Sequence, residues 1–183
     1  GGRSVGVPGV PRLLEVAHAR HGRLPWAALF EPAIAVAEKG FAISARLNAH
    51  VGERKEMASD PVLRAHFFTA EGAPKPAGTV LRNPEAARTL RLIARGGADA
   101  FYTGEVAADI VAAVRGHANP GTLTAEDLAG YRVRDVEPLC GAYREWRLCG
   151  MPPSSSGGIA VLQILGVLSR FDMAGVPPRS AQA

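Results

Sequence analysis

Long apolar runs and cysteines are scarce in this sequence of 183 residues. Gly, Arg or Pro interrupts each apolar stretch before it reaches the ~18–20 residues that cross a bilayer, so we expect no membrane span. Residues 1–22 also lack the basic and then apolar segments of a secretory signal peptide. The two cysteines lie far in sequence from the five histidines. Because no Cys–His spacing suits a metal, we expect neither a metal nor a cofactor.

Lysine is rare as well, since Lys39, Lys55 and Lys75 are the only three. Arginine therefore supplies most of the net charge of +4. The arginines are dispersed among acidic residues, and aromatic residues make up only 6% of the chain. A nucleic-acid interface needs a clustered basic patch, so no nucleic-acid partner is expected. The 47% of hydrophobic residues is enough to bury a core.

Helix signals dominate residues 1–130. Residues 1–70 and 83–130 are predicted to be helical, and the Pro- and Gly-rich residues 71–82 to form a loop. Pro32 predicts a break within its helical segment. The predicted N-caps are Ser44 (for a helix to about Met57), Asp60, Asn83 and Thr124, the last with Asp127 in a capping box.

Apolar and polar residues alternate over residues 131–151, which predicts a β-hairpin with its turn at Arg144-Glu145. This register places Cys140 opposite Cys149 in a non-hydrogen-bonded pair, where Cα atoms lie ~4.5 Å apart. Such a separation is within reach of a disulfide, near its short limit. Either a cross-strand disulfide forms or two thiols face each other.

The segment SSSGG at residues 154–158 is the stretch most similar to an active site. A nucleophile elbow needs GxSxG, a P-loop needs a following Lys, and a dinucleotide fingerprint needs GxGxxG, and all three are missing. The interpretation is that Ser154–Ser156 cap a buried helix, which is predicted over residues 156–172.

Several ordered blocks resemble one enzyme family. "NPEAARTLRLIARGGADAFYTGEVAADIVAAV", "LTAEDLAGYRV" and "PLCGAYREWRLCGMPPSSSGGIAVLQIL" are similar to motifs of the γ-glutamyltransferase (glutathione hydrolase) large subunit. "HGRLPWAALFEPAIAVAEKGFAIS" near the start resembles a further motif of that family. The resemblance covers essentially the whole chain in order.

The resemblance implies an N-terminal-nucleophile hydrolase, made as a precursor that cuts itself before a threonine. That threonine begins the small subunit and passes the γ-glutamyl group of glutathione to water or an amino acid. Neither this nucleophile nor the family's carboxylate-binding arginine matches a position here, so no catalytic residue is assigned. The chain alone is expected to be inactive, with the small subunit as its partner. A periplasmic or extracellular location is also suggested by the resemblance.

The expected fold class is α+β, mostly α-helical with a β-hairpin. Residues 1–183 would form a single partial domain of the family's αββα architecture. Such a piece should expose apolar helix faces, which favours self-association. The alternatives are a related acylase or peptide transferase of the same superfamily, and a non-catalytic helical binding module.

Overall fold

The computed structural model describes residues 1–177, 179 and 180, in two units. The first unit is Gly1–Val133, and the second begins at Arg134. Because residues 178 and 181–183 lie outside the described residues, the single partial domain over 1–183 stays a prediction. The helices described in the first unit are α1 (Val10–His21), α2 (Glu31–Lys39), α3 (Ala45–Glu53), α4 (Pro61–Phe67), α5 (Pro84–Gly96), α6 (Asp99–Tyr102), α7 (Gly104–Gly116) and α8 (Ala125–Ala129).

Four of these helices begin at the predicted caps. The side chains of Ser44, Asp60 and Asn83 each accept hydrogen bonds from backbone N–H groups two or three residues later. Thr124 and Asp127 form the predicted capping box. Each cap accepts a hydrogen bond from a backbone N–H group that has no partner within the first helical turn. The local sequence is therefore sufficient to predict where these helices begin.

Two of the predicted helical segments divide into a 3-10 turn and an α-helix. The break at Pro32 is confirmed, because a 3-10 turn at Trp26–Leu29 precedes α2 and the proline lies in the first turn of that helix. The helix capped by Ser44 ends at Glu53 instead of near Met57, and Lys55–Ser59 continues as a separate 3-10 turn.

The first unit contains a short antiparallel pair of strands that the sequence does not predict. Strand β1 (Phe41–Ala42) pairs with β2 (Val80–Leu81), which lies within the predicted loop 71–82. Gly40 precedes β1 at φ 84, a left-handed conformation that glycine adopts without strain. Two-residue strands carry too little alternation to be recognised locally, and their pairing depends on the chain between them.

The core of the first unit surrounds Tyr102, which is 1% exposed. Its hydroxyl donates to Pro8 O at 2.6 Å, and Tyr131 stacks on its ring at 5.6 Å. Arg12 lies 5.0 Å above the same ring and pairs with Asp99. Burial raises the pKa of Tyr102. The other buried members of this cluster are Ala98, Ala107, Val114, Leu123 and Leu128.

The second unit consists of a hairpin and one helix among its described residues. Strand β3 (Leu139–Tyr143) pairs antiparallel with β4 (Trp146–Gly150), and helix α9 is Gly157–Leu168. The predicted register is confirmed, with Cys140 opposite Cys149. These two cysteines form a disulfide, with Cα atoms 4.1 Å apart. The hairpin is shorter than the predicted 131–151, because regular pairing begins only at Leu139.

Among the described residues, no helix combines the length and the apolar character that crossing a bilayer requires.

Candidate functional site

The serine–glycine segment 154–158 connects the hairpin to α9. Its three serines are exposed, whereas Gly158 is buried. Ser156 occupies the N-cap position, but its side chain makes no capping hydrogen bond. The predicted serine cap is therefore wrong. Ser156 has helical backbone angles (φ −83, ψ −18) instead of the extended conformation typical of a capping residue.

Close backbone contact between α9 and β4 positions the helix start. A Cβ built on Gly158 would lie 2.4 Å from Met151 O. A Cβ built on Gly150 would lie 2.7 Å from the Cα of Gly158. Only glycine permits such an approach, because any side chain would overlap with backbone. Gly158 of SSSGG and Gly150 at the strand end thus have a packing role.

The unit that contains this segment has no histidine beside its serines. A serine is activated by an adjacent general base, most often a histidine. All five histidines of the chain lie between His18 and His117, within the first unit. The second unit therefore contains no histidine that could activate Ser154, Ser155 or Ser156.

The histidine pair on α1 also has a structural explanation. His18 shares a 2.8 Å hydrogen bond with Leu24 O, and its ring lies 5.3 Å from that of Trp26. His21 is exposed and His18 is half-buried near the end of the helix. Among the described residues, no group of three His, Cys, Asp or Glu side chains is placed to hold a metal.

An apolar groove of about 620 Å³ lies between α2, α4 and β2 in the first unit. Val36 and Phe67 belong to its apolar lining, and Arg82 and Asn83 belong to its polar part. Arg82 Nε donates to Lys39 O at 3.1 Å, and Asn83 Oδ1 caps α5. Both of these polar groups therefore have structural partners, and His66, which also lines the groove, contacts the ring of Phe67 edge-on at 4.8 Å. The sequence does not predict this groove, because its walls come from distant segments of the chain.

Apolar side chains are exposed on α2 and on α9. Val36 on α2 is 52% exposed, and Val161, Ile164 and Val167 on α9 are 51%, 57% and 60% exposed. The three positions on α9 follow a helical i, i+3, i+6 spacing and form one stripe. The described part of α9 is therefore only partly buried, although its sequence predicts a buried helix.

The fold is the mostly helical α+β class of an N-terminal-nucleophile hydrolase, and comparisons with known proteins agree with it. The crystal structure of Helicobacter pylori gamma-glutamyltranspeptidase superposes with a TM-score of 0.90 and 32% identity, covering 99% of this chain and 52% of that one. Glutathione hydrolase 2 of Arabidopsis thaliana is 40% identical over 97% of this chain and 30% of its own length. Acylase ACY 1 proenzyme of Pseudomonas sp. (strain SE83) is 36% identical over 94% of this chain and 31% of its own length.

The family model of gamma-glutamyltranspeptidase matches residues 1–183. This chain belongs to the gamma-glutamyltranspeptidase family, as its sequence motifs indicated. It spans about 30% of the length of the curated relatives that it matches.

Proposed function

We propose that this chain forms part of the large subunit of an enzyme that transfers a γ-glutamyl group. The donors are glutathione and related γ-glutamyl compounds, and the acceptors are water or amino acids. A threonine outside these 183 residues carries the acyl group, and its own α-amine acts as the base. In this proposal no residue of the chain is catalytic. The small subunit of the same precursor is its partner.

The family match over all 183 residues carries the proposal. The composition of the second unit supports it, because its exposed serines have no histidine within that unit. A protein whose chemistry depends on another segment is expected to lack a complete nucleophile here. The contribution of this chain is then to support the site with packed helices and the hairpin.

The test compares two proteins. One is the 183-residue chain, and the other is the protein as its gene encodes it. Each is incubated with γ-glutamyl-p-nitroanilide, and release of p-nitroaniline is followed by absorbance. We expect the encoded protein to cleave itself into two subunits and to turn over the substrate. The 183-residue chain should show no turnover, since removing a covalent nucleophile lowers the rate by several orders of magnitude.

Two results would contradict the proposal. The first is turnover by the 183-residue chain that a γ-glutamyl-directed inhibitor abolishes, because the nucleophile would then lie within the chain. The second is an encoded protein that neither cleaves itself nor turns over the γ-glutamyl substrate. That second outcome would favour a non-catalytic helical binding module.

An acylase of the same superfamily is the second candidate, favoured by the 36% identity to Acylase ACY 1 proenzyme. In both candidates a precursor cuts itself to expose the nucleophile, and the two differ in the acyl group that is transferred. A parallel assay with an amide that lacks the γ-glutamyl α-amino and α-carboxylate groups distinguishes them. The acylase is supported if this amide reacts faster than the γ-glutamyl compound.

The apolar stripe on α9, formed by Val161, Ile164 and Val167, favours association with another surface. In the encoded protein we propose that other parts of the same precursor cover it. For the 183-residue chain by itself we expect concentration-dependent self-association in sedimentation velocity. Ile164→Asp should weaken the association, while Gln163→Glu, beside the stripe, should leave it unchanged. A monomer at all concentrations would contradict this part of the proposal.

A further inference from the structure

The two faces of the β3–β4 hairpin differ in what they contact. Gly141 faces α9, since a Cβ built on it would lie 3.0 Å from Leu162 Cδ2. Side chains alternate between the faces of a strand, so Cys140 and Ala142 point away from α9. Their partners across the ladder, Cys149 and Arg147, point the same way. The disulfide therefore lies on the outward face of the hairpin.

Access to the two sulfur-bearing residues is unequal. Cys149 is exposed, whereas Cys140 is half-buried. Arg147 is also exposed and precedes Cys149 by two residues on the same face. Residues at this spacing in a strand are about 6.6 Å apart. This spacing separates Cα atoms, and the guanidinium group of an arginine side chain that starts so close to Cys149 attracts an approaching anion.

We propose that the Cys140–Cys149 disulfide is a thiol-exchange site, with Cys149 as the attacked residue and Arg147 as the residue that attracts the anionic thiolate. The external reductant is a low-molecular-weight thiol. Exposed disulfides are the ones open to exchange, because the thiolate must reach a sulfur atom along the S–S axis. Burial on the inner face, by contrast, would block this approach.

The exchange proceeds in two balanced steps. The external thiolate attacks Cys149 Sγ, the S–S bond breaks, and Cys140 leaves as a thiolate that takes up a proton. The product is a mixed disulfide on Cys149. A second external thiolate then attacks the external sulfur of that mixed disulfide and releases Cys149 as a thiolate. Overall, two external thiols are oxidised to one disulfide, and the protein disulfide is reduced to two thiols.

The consequence of reduction concerns the hairpin and the helix packed on it. The bridge joins residues nine positions apart and holds the two strands together. Helix α9 begins against the end of β4, next to Cys149, through the Gly150–Gly158 contact. Opening the bridge removes a constraint on the strand against which this helix start packs. The segment 154–158 thereby becomes sensitive to the thiol state of the solution.

The experiment uses the protein as its gene encodes it and three small thiols at low ionic strength. Their reactive thiolate forms carry different net charges: −2 for mercaptoacetate, −1 for 2-mercaptoethanol and zero for cysteamine. The reduction rate is measured for the parent and for Arg147→Glu, and only the ratio of the two rates is compared for each thiol. The intrinsic reactivity of each thiol cancels in this ratio, because it contributes equally to both rates.

We expect Arg147→Glu to slow reduction of the disulfide by mercaptoacetate about 20-fold and by 2-mercaptoethanol about fivefold. The rate of reduction by cysteamine should change by less than about twofold. Added salt should reduce these differences through screening. After acid quenching and alkylation, peptide mapping should find the mixed disulfide mainly on Cys149 and the alkylated thiol on Cys140.

Arg170→Glu provides a matched control with the same change in net charge. Arg170 is exposed and follows α9, whose 12 residues place its end about 18 Å from its start near Cys149. This variant should leave all three rates unchanged, and circular dichroism should show that both variants are folded. A mixed disulfide mainly on Cys140, or equal rate ratios for the three thiols, would overturn the proposal.

Discussion

Gly158 provides the sharpest test of how α9 is positioned. A Cβ at this residue would lie 2.4 Å from Met151 O and 3.1 Å from the carbonyl carbon of Gly150. Favourable contacts between heavy atoms are longer, at about 3.5 Å or more. Both neighbouring atoms belong to the backbone, so they cannot rotate away as a flexible side chain would. A methyl group here must therefore displace the helix start from the strand end.

We expect Gly158→Ala to lower the free energy of unfolding of the second unit by about 1–3 kcal/mol, the range of overpacked sites. The sign is informative, because alanine otherwise favours a helix over glycine by about 0.8–1.0 kcal/mol. Urea unfolding followed by circular dichroism measures the change as a lower midpoint at unchanged slope.

Gly157→Ala is the matched control for this substitution. The nearest atom to a Cβ on Gly157 is Ser155 Oγ at 3.9 Å, an ordinary contact. This variant should be as stable as the parent or slightly more stable. If Gly158→Ala and Gly157→Ala proved equally stable, the close-contact explanation of the helix start would be refuted.

Three further predictions concern the caps, the disulfide and the core. Asn83→Ala should lower the free energy of unfolding by about 1 kcal/mol, because it removes the cap of α5. Ser156→Ala should lower it by less than about 0.5 kcal/mol, since Ser156 makes no capping bond. Equal losses for the two variants in urea unfolding would contradict this difference. Replacing both Cys140 and Cys149 by alanine should lower the free energy of unfolding by about 2–3 kcal/mol in non-reducing urea titrations, and no loss would show that the bridge does not constrain the unfolded chain. Because burial raises the pKa of Tyr102, the unfolded state loses this proton first, and stability should fall as the pH rises above about 10. Tyr102→Phe should flatten that decline, and an unchanged pH profile would contradict the assignment.

Local sequence was sufficient for much of the fold. The caps at Ser44, Asp60 and Asn83 were predicted because a side chain and a backbone N–H two or three residues later interact whatever surrounds them. The hairpin register followed from alternation and turn position, and it placed Cys140 opposite Cys149. The family, too, was recognisable from the order of the motifs.

The tertiary structure decided what depends on segments distant in sequence. The β1–β2 pair joins residues about 40 positions apart, and neither strand is long enough to show a pattern. The register left open whether Cys140 and Cys149 form a bond, and the structure shows that they do. The role of SSSGG was also decided there. A serine that caps a helix typically has an extended backbone, whereas Ser156 is helical and makes no capping bond. The close approach of Gly158 to Met151 O fixes the start of the helix instead. Sequence determines which short-range hydrogen bonds are available, whereas packing between elements determines which of them form.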